Sequence, residues 1–263
     1  MCRLVAYCGP PIPLENIIIR PRHSLVVQSQ VAAEAKLAVN GDGFGVAWYG
    51  ADSQPALYKE IMPAWANPNL LHICRSVWSG NFVGHVRAST FGGASYQNCH
   101  PFTHGIWSFA HNGQIGGFDR LRRPLEAELD DGLFAERLGI TDSELLFLLI
   151  LAHNPGTEPI KACEKAIGQI AQMHHAAGCT QPLRLTFVLS NGQFLIGFRY
   201  SSDGKAPTLY VSNRLDHGGC ALASEPLDGD HDHWAMVGDG SLVEIENSRV
   251  QHTPLATDLG VAA

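Results

Sequence analysis

Thr141-Asp142-Ser143-Glu144-Leu145-Leu146-Phe147-Leu148-Leu149-Ile150-Leu151-Ala152 is the stretch whose reading decides the fold class. Thr141 and Asp142 are both of the side-chain type that caps a helix N-terminus by accepting a backbone N–H, and an acidic residue and an apolar run follow at once. The run 145–152 is far shorter than the roughly 18 residues that span a bilayer, so it reads as one buried face of a helix in a soluble protein. Asn154-Pro155-Gly156 breaks it from a second helix, 158–176, whose apolar residues Ile160, Cys163, Ala166, Ile167, Ile170 and Met173 fall on one face.

Outward from this helical pair, both flanks read as strands. Upstream lie 3–8, 43–49, 56–60, 82–89 and 106–112, with helical character at 29–37 and 67–77. Downstream lie 183–190, 193–200, 208–212, 220–223, 234–237 and 242–246, and Asn191-Gly192 is a hairpin signal between the first two. Strands, a helical pair and strands again predict an α+β protein in which two mainly antiparallel sheets pack face to face with helices outside. No repeat, low-complexity tract or linker divides the chain. The expectation is a single domain over 1–263, with a core at 2–250 and a short tail at 251–263.

Composition narrows the function classes. Eighteen basic against 25 acidic residues give a formal charge of −7, without a run of either sign, so no nucleic-acid partner is expected. No stretch has the length of a membrane span, and the N-terminus has none of the features of a secretory signal, which predicts a cytoplasmic protein with no membrane partner. Seven scattered cysteines without a CxxC pair argue against a disulfide framework and a structural zinc site.

Cys2 departs from the pattern of an inert thiol. Removal of Met1 is favoured by a small second side chain, and it would leave a thiol and an α-amine on one residue. An amine with an unperturbed pKa of about 7.7–8.0 can take the thiol proton at neutral pH, so nucleophile and base come from the same residue. Other groups suit the same acyl-transfer chemistry. His111-Asn112-Gly113 ends an apolar strand, and an Asn carboxamide beside a backbone N–H makes a pair of convergent oxyanion donors. Arg87 near a strand end can grip a carboxylate in bidentate fashion, and Asp142 at a helix start can bind an amine. Each of these, taken alone, also has an ordinary structural explanation: a turn, an ion pair, a cap.

Their order is far more specific. Met1-Cys2, Asn40-Gly41-Asp42-Gly43-Phe44-Gly45, Gly84-His85-Val86-Arg87-Ala88-Ser89-Thr90, Asn98-Cys99-His100-Pro101-Phe102, His111-Asn112-Gly113, Thr141-Asp142-Ser143-Glu144 and Ala223-Ser224-Glu225-Pro226 together resemble the class II glutamine amidotransferases across nearly the whole chain. The resemblance implies an N-terminal-nucleophile hydrolase fold, a four-layer αββα sandwich. It implies Cys2 as the nucleophile that forms a γ-glutamyl thioester, and Asn112 and Gly113 as the oxyanion hole. Arg87, with Thr90 beside it, would hold the substrate α-carboxylate and Asp142 the α-amino group, while Asp42 and His100 order the site. No cofactor or metal is implied.

No sugar-phosphate isomerase, phosphoribosyltransferase or ATP-dependent synthetase domain is expected after the glutaminase-like part. The chain therefore looks closer to the small stand-alone members, such as the ergothioneine-pathway amidohydrolase and γ-glutamyl peptide-degrading subunits. Phe91 stands where several sugar-aminating relatives have histidine. The expected activity is hydrolysis of a γ-glutamyl amide with release of glutamate from a small-molecule substrate. A glutaminase subunit feeding ammonia to a separate synthetase, a subunit paired with a peptidase, a homo-oligomer and a non-catalytic binding protein on the same scaffold are the alternatives left open. Asp230-His231-Asp232-His233 reads as a solvated acidic loop rather than a metal site.

Overall fold

Side chains of the first strand, β1 (Arg3–Pro13), point alternately to two different apolar layers. Leu4, Ala6 and Cys8 enter one cluster, and Val5 and Tyr7 enter another. A strand covered on both faces reads as continuously apolar, which is why its sequence shows no polar alternation. The computed structural model describes residues 2–34, 39–89, 93, 95–212, 215–228 and 231–255.

Around β1 the chain builds α1 (Glu15–Ile18), α2 (Leu25–Gln30), β2 (Phe44–Trp48), β3 (Ala56–Glu60), α3 (Pro68–Ser76) and β4 (Trp78–Val86). The next elements are β5 (Phe102–His104), β6 (Trp107–Gln114), α4 (Phe118–Glu126), α5 (Asp131–Ala135), α6 (Asp142–Ala152) and α7 (Pro159–Ala176). Seven strands finish the chain: β7 (Arg184–Ser190), β8 (Phe194–Ser201), β9 (Tyr210–Ser212), β10 (Cys220–Ala223), β11 (Trp234–Met236), β12 (Ser241–Glu246) and β13 (Arg249–Pro254). One sheet has the order β11-β9-β10-β1-β4-β2-β3 and the other β13-β12-β8-β7-β6-β5, with antiparallel pairing throughout.

Three apolar clusters define four layers. Leu4, Ala6, Val83, Ala110, Val188 and Val243 fill the space between the sheets. Val5, Phe44, Phe82 and Trp234 meet Ile17, Ile18, Leu25 and Leu70 of α1–α3 outside the first sheet. Phe109, Phe187 and Phe198 meet α4, α6 and α7 outside the second. Helix α6 is buried from Ser143 to Ile150, so it is covered on every side rather than on one face as its length alone suggests. Its cap is Thr141, whose Oγ1 accepts from Glu144 N at 3.2 Å.

The predicted helix at 67–77 is present as α3, capped by Asn67 Oδ1 accepting from Leu70 N at 3.0 Å. The helix expected at 29–37 is displaced. Ser24 caps α2, and residues 33 and 34 leave the helical path because Ala33 N and Glu34 N donate to the Glu225 carboxylate; residues 35–37 lie outside the described ones. The Asn191-Gly192 hairpin joins β7 to β8 with Ser190 opposite Leu195. Gly192 has φ 88°, and a Cβ there would sit 2.6 Å from the Tyr49 ring, so glycine is required twice over.

The second sheet also reaches past position 250, into the expected tail. Asn247 and Ser248 both adopt positive φ, 49° and 59°, and turn β12 back as β13, which pairs Ser241 with Pro254. Residues 256–263 of that tail lie outside the described ones. Among the described residues no helix is long and apolar enough to cross a membrane.

Candidate active site

The ends of three strands and the start of one helix meet at one edge of the sandwich. Antiparallel pairing sets Arg3 against Val86, so Cys2 at the head of β1 faces Arg87 at the foot of β4. Strand β6 of the other sheet packs over β1 and β4 and brings Asn112 and Gly113 to the same edge. The N-terminus of α6 adds Asp142. A cavity of about 480 Å³ is lined by Cys2, Arg87, His100, Gly113 and Asp142, together with residues that the sequence did not single out.

Cys2 Sγ donates weakly to Ala88 O at 3.6 Å. Burial pushes its thiol above the ordinary range, and the nearby Arg87 and Arg3 charges oppose part of that rise. The Arg87 guanidinium is held from behind: Nη1 donates to Gly93 O at 2.7 Å and Nη2 to Ser89 Oγ at 3.1 Å. Asp42 does not line the cavity. Its Oδ2 accepts from Ser89 N at 2.7 Å, its own N–H donates to Arg87 O, and Arg87 N donates to Gly43 O, which ties the two loops together. Gly43 has φ 115° and a Cβ there would lie 2.5 Å from Cys99 Sγ, so the Asp-Gly step admits no other residue. Thr90 lies outside the described residues.

Asn112 is fully buried, and among the described residues neither atom of its carboxamide has a hydrogen-bond partner. A buried amide with no partner carries a cost unless a ligand completes it. Gly113 lies on the cavity wall; a Cβ there would run into the Arg184 carbonyl and come within 2.6 Å of His111 Nε2. Asp142 is fixed through both oxygens. Oδ2 accepts from Ile115 N at 2.8 Å and Oδ1 from Ser143 N at 2.8 Å, which leaves Oδ2 a lone pair for a further donor.

Three histidines are buried around the cavity: His100 and His111 on its wall and His85 behind them. The ring of His85 stacks on that of His100 at 4.2 Å, and His100 meets Phe102 edge-on at 4.5 Å. Burial lowers all three: His85 to about 3, His100 well below the usual range, and His111 in the same direction against the pull of Asp142. They are neutral at pH 7. His111 Nδ1 and Ser143 Oγ are joined at 2.8 Å.

Phe118, Asp119 and Gln181 also line the cavity and were not foreseen. Gln181 is brought there by a long-range bond, its Oε1 accepting from Gly117 N at 3.0 Å, and no local sequence pattern announces that. Phe118, Leu121 and Leu125 do follow a helical spacing, but Pro124 interrupts it.

The Ser224-Glu225 element supports the head of β1, next to Cys2, from its far side. Ser224 Oγ accepts from Leu4 N at 3.0 Å and Ser224 N donates to Leu4 O. Glu225 accepts from Arg3 Nη1 at 3.0 Å and meets His23 Nε2 at 2.6 Å. In the 230–233 segment, His233 Nδ1 pairs with Asp228 Oδ2 at 3.2 Å, and Asp230 lies outside the described residues. Among the described residues no group of three or more His, Cys, Asp or Glu side chains is arranged to hold a metal.

Comparison with known proteins agrees with this geometry. Residues 16–223 match the family model for class II glutamine amidotransferases. A protein of Saccharomyces cerevisiae named probable glutamine amidotransferase DUG3 is 32% identical over 301 residues, covering 97% of this chain and 84% of that one. The γ-glutamyl-hercynylcysteine sulfoxide hydrolase of Mycobacterium tuberculosis is 30% identical over 258 residues, 97% of each chain. Among solved structures, a glutamine aminotransferase class-II domain protein from Silicibacter pomeroyi superposes with a TM-score of 0.76 at 34% identity, covering 97% of this chain and all of that one. The chain belongs to the class II glutamine amidotransferase family of amidohydrolases.

Proposed function

We propose that this chain, with Met1 removed, hydrolyses the γ-carboxamide of glutamine or of a γ-glutamyl compound through a thioester on Cys2. One observation carries the reading: a cavity of about 480 Å³ is bordered at once by the Cys2 thiol, the Arg87 guanidinium, the Gly113 backbone and the Asp142 carboxylate. Those groups match a γ-glutamyl unit end to end. Arg87 takes the α-carboxylate, Asp142 takes the α-ammonium, and the γ-carbonyl falls between Cys2 and Asn112-Gly113. The names of the yeast and mycobacterial relatives point to the same substrate class.

The chemistry balances within the site. The α-amine of Cys2 takes the thiol proton, and the sulfur attacks the γ-carbonyl carbon. The carbonyl oxygen receives the electron pair and rests against the Asn112 N–H₂ and the Gly113 N–H. The amine returns its proton to the leaving nitrogen as the C–N bond breaks. Water then cleaves the thioester, releasing glutamate and restoring the thiol. Asp42 and His100 act behind this set, Asp42 by holding the 87–89 loop and His100 by walling the cavity with a neutral ring. The chain acts as a single catalytic domain on a small molecule, and its widely spaced, unpaired cysteines favour a cytoplasmic location.

Intact-mass spectrometry before and after incubation with 6-diazo-5-oxo-L-norleucine tests this. The expected result is loss of Met1 and a single adduct that maps to Cys2. Retained Met1 without an adduct would overturn the mechanism.

A further inference from the structure

Helix α6 holds the end of β6 at two points that bracket the oxyanion pair. Ser143 Oγ and His111 Nδ1 are joined at 2.8 Å, and Asp142 Oδ2 accepts from Ile115 N at 2.8 Å. Between those anchors lie Asn112 and Gly113. Ser143 Oγ also donates to Asp142 Oδ1 across 3.4 Å, so one hydroxyl touches both the carboxylate and the strand end. From the opposite sheet His85 Nε2 meets the His111 carbonyl at 3.2 Å.

Ser143, His85 and His111 are all buried, and burial keeps both imidazoles neutral. Hydrogen bonds in such a dry interior are geometry-sensitive and poorly replaced by water. Helix α6 is itself encased, so its first turn and the end of β6 move together or not at all.

We propose that Ser143 is a positioning residue that couples the ammonium end of the substrate site to the oxyanion hole. The inference rests on the γ-glutamyl reading given above. When an ammonium binds Asp142, the adjustment of the carboxylate passes through Ser143 to His111 and sets the backbone of Asn112-Gly113. Part of the substrate's ammonium binding energy is thereby expressed in the transition state, as kcat, instead of only in the Michaelis complex. The same hydroxyl keeps the His111 ring, and with it the strand end, in place when the site is empty.

The test is steady-state hydrolysis of L-glutamine and of its deamino analogue 4-carbamoylbutanoate by the wild type, Ser143→Ala and Ser143→Thr. The wild type should lose kcat as well as affinity on the deamino compound. Ser143→Ala should lower kcat for L-glutamine by about tenfold to a hundredfold with KM changed less than about threefold, and should narrow the kcat gap between the two compounds. Ser143→Thr, which keeps the hydroxyl, should restore most of the rate. A Ser143→Ala enzyme with wild-type kcat on an active background removes the coupling alone. Equal impairment of Ala and Thr variants with a lowered Tm assigns Ser143 to packing and overturns it as well. A wild type that hydrolyses neither compound and takes no adduct on Cys2 overturns the γ-glutamyl reading, and the coupling falls with it.

Discussion

Arg3 Nη1 donates to Glu225 Oε1 at 3.0 Å, and both side chains are sealed from solvent, with Arg3 next in the chain to Cys2. Burial by itself would raise the Glu225 carboxyl, but His23, the backbone N–H groups of Glu34 and Ala33, and the Arg3 charge together hold it below the usual carboxylate range. The pair fixes the head of β1, and with it the position of Cys2.

Glu225→Gln should therefore destabilise the fold by about 3–5 kcal/mol, because it leaves the buried Arg3 guanidinium without its counter-charge. Equilibrium urea unfolding at pH 7 measures the loss. The linkage has a definite sign. A carboxyl whose folded pKa lies below its unfolded value contributes stability above about pH 4.3, and that contribution disappears as pH falls through the folded pKa. The wild-type advantage over Glu225→Gln should shrink below pH 4. A difference that stays constant down to pH 3 would show that the shift is absent.

The three neutral histidines act in a different window. His85, His100 and His111 have folded pKa values lowered by burial, so the unfolded chain binds more protons than the folded one below about pH 6.5. Stability is complete above that pH and falls as acid is added, by up to about 1.4 kcal/mol per pH unit for each group. Urea midpoints measured from pH 7.5 to 5 should decline steeply. Replacing His85 with Asn should make the slope shallower by about one proton, whatever it does to the midpoint at pH 7.5.

Gly113→Ala has a steric prediction. The added methyl meets the Arg184 carbonyl of the neighbouring strand and the His111 ring, so the β6 end must shift away from β7. Loss of one oxyanion donor costs roughly 10²–10³ in kcat. We expect a fall of at least about a hundredfold in kcat, with alkylation of Cys2 by a small thiol reagent such as iodoacetamide retained. A variant with near-native kcat would show that the Gly113 N–H does not face the reacting oxygen.

How much of this was legible in the sequence depends on whether a residue's role is set locally. The Thr141 cap and the Asn191-Gly192 turn are local chemistry, and each stands where its pattern placed it. The strand–helix–strand order gave the layers for the same reason, since apolar faces must be covered. Features decided by distant contacts were not readable. Residues 29–37 carry a helical pattern, yet Glu225, nearly 200 positions away, claims the N–H groups of Ala33 and Glu34. Gln181 reaches the cavity only through Gly117, and Asn247-Ser248 makes a hairpin without the glycine that marks one. His111 and Ser143 were visible inside motifs, but only folding shows that they touch.

Asp142 is both a structural acceptor and the group assigned to the substrate ammonium, and Asp142→Asn separates the two roles. An asparagine keeps one oxygen, which can still accept from Ile115 N, so the end of β6 should stay in place and the fold should lose only about 1–2 kcal/mol. It loses the negative charge, and it carries an N–H₂ where the carboxylate had an acceptor oxygen. Removing one partner of a desolvated charged pair costs about 2–5 kcal/mol of binding, which is a factor of roughly 30 to several thousand. Inhibition by L-glutamate and by glutarate separates the effect from general damage. The wild type should prefer L-glutamate, whose ammonium Asp142 reads, and Asp142→Asn should abolish that preference while binding glutarate about as well as before. Equal weakening toward both compounds would place the ammonium elsewhere in the cavity, with Asp119 on its wall as the next carboxylate to replace.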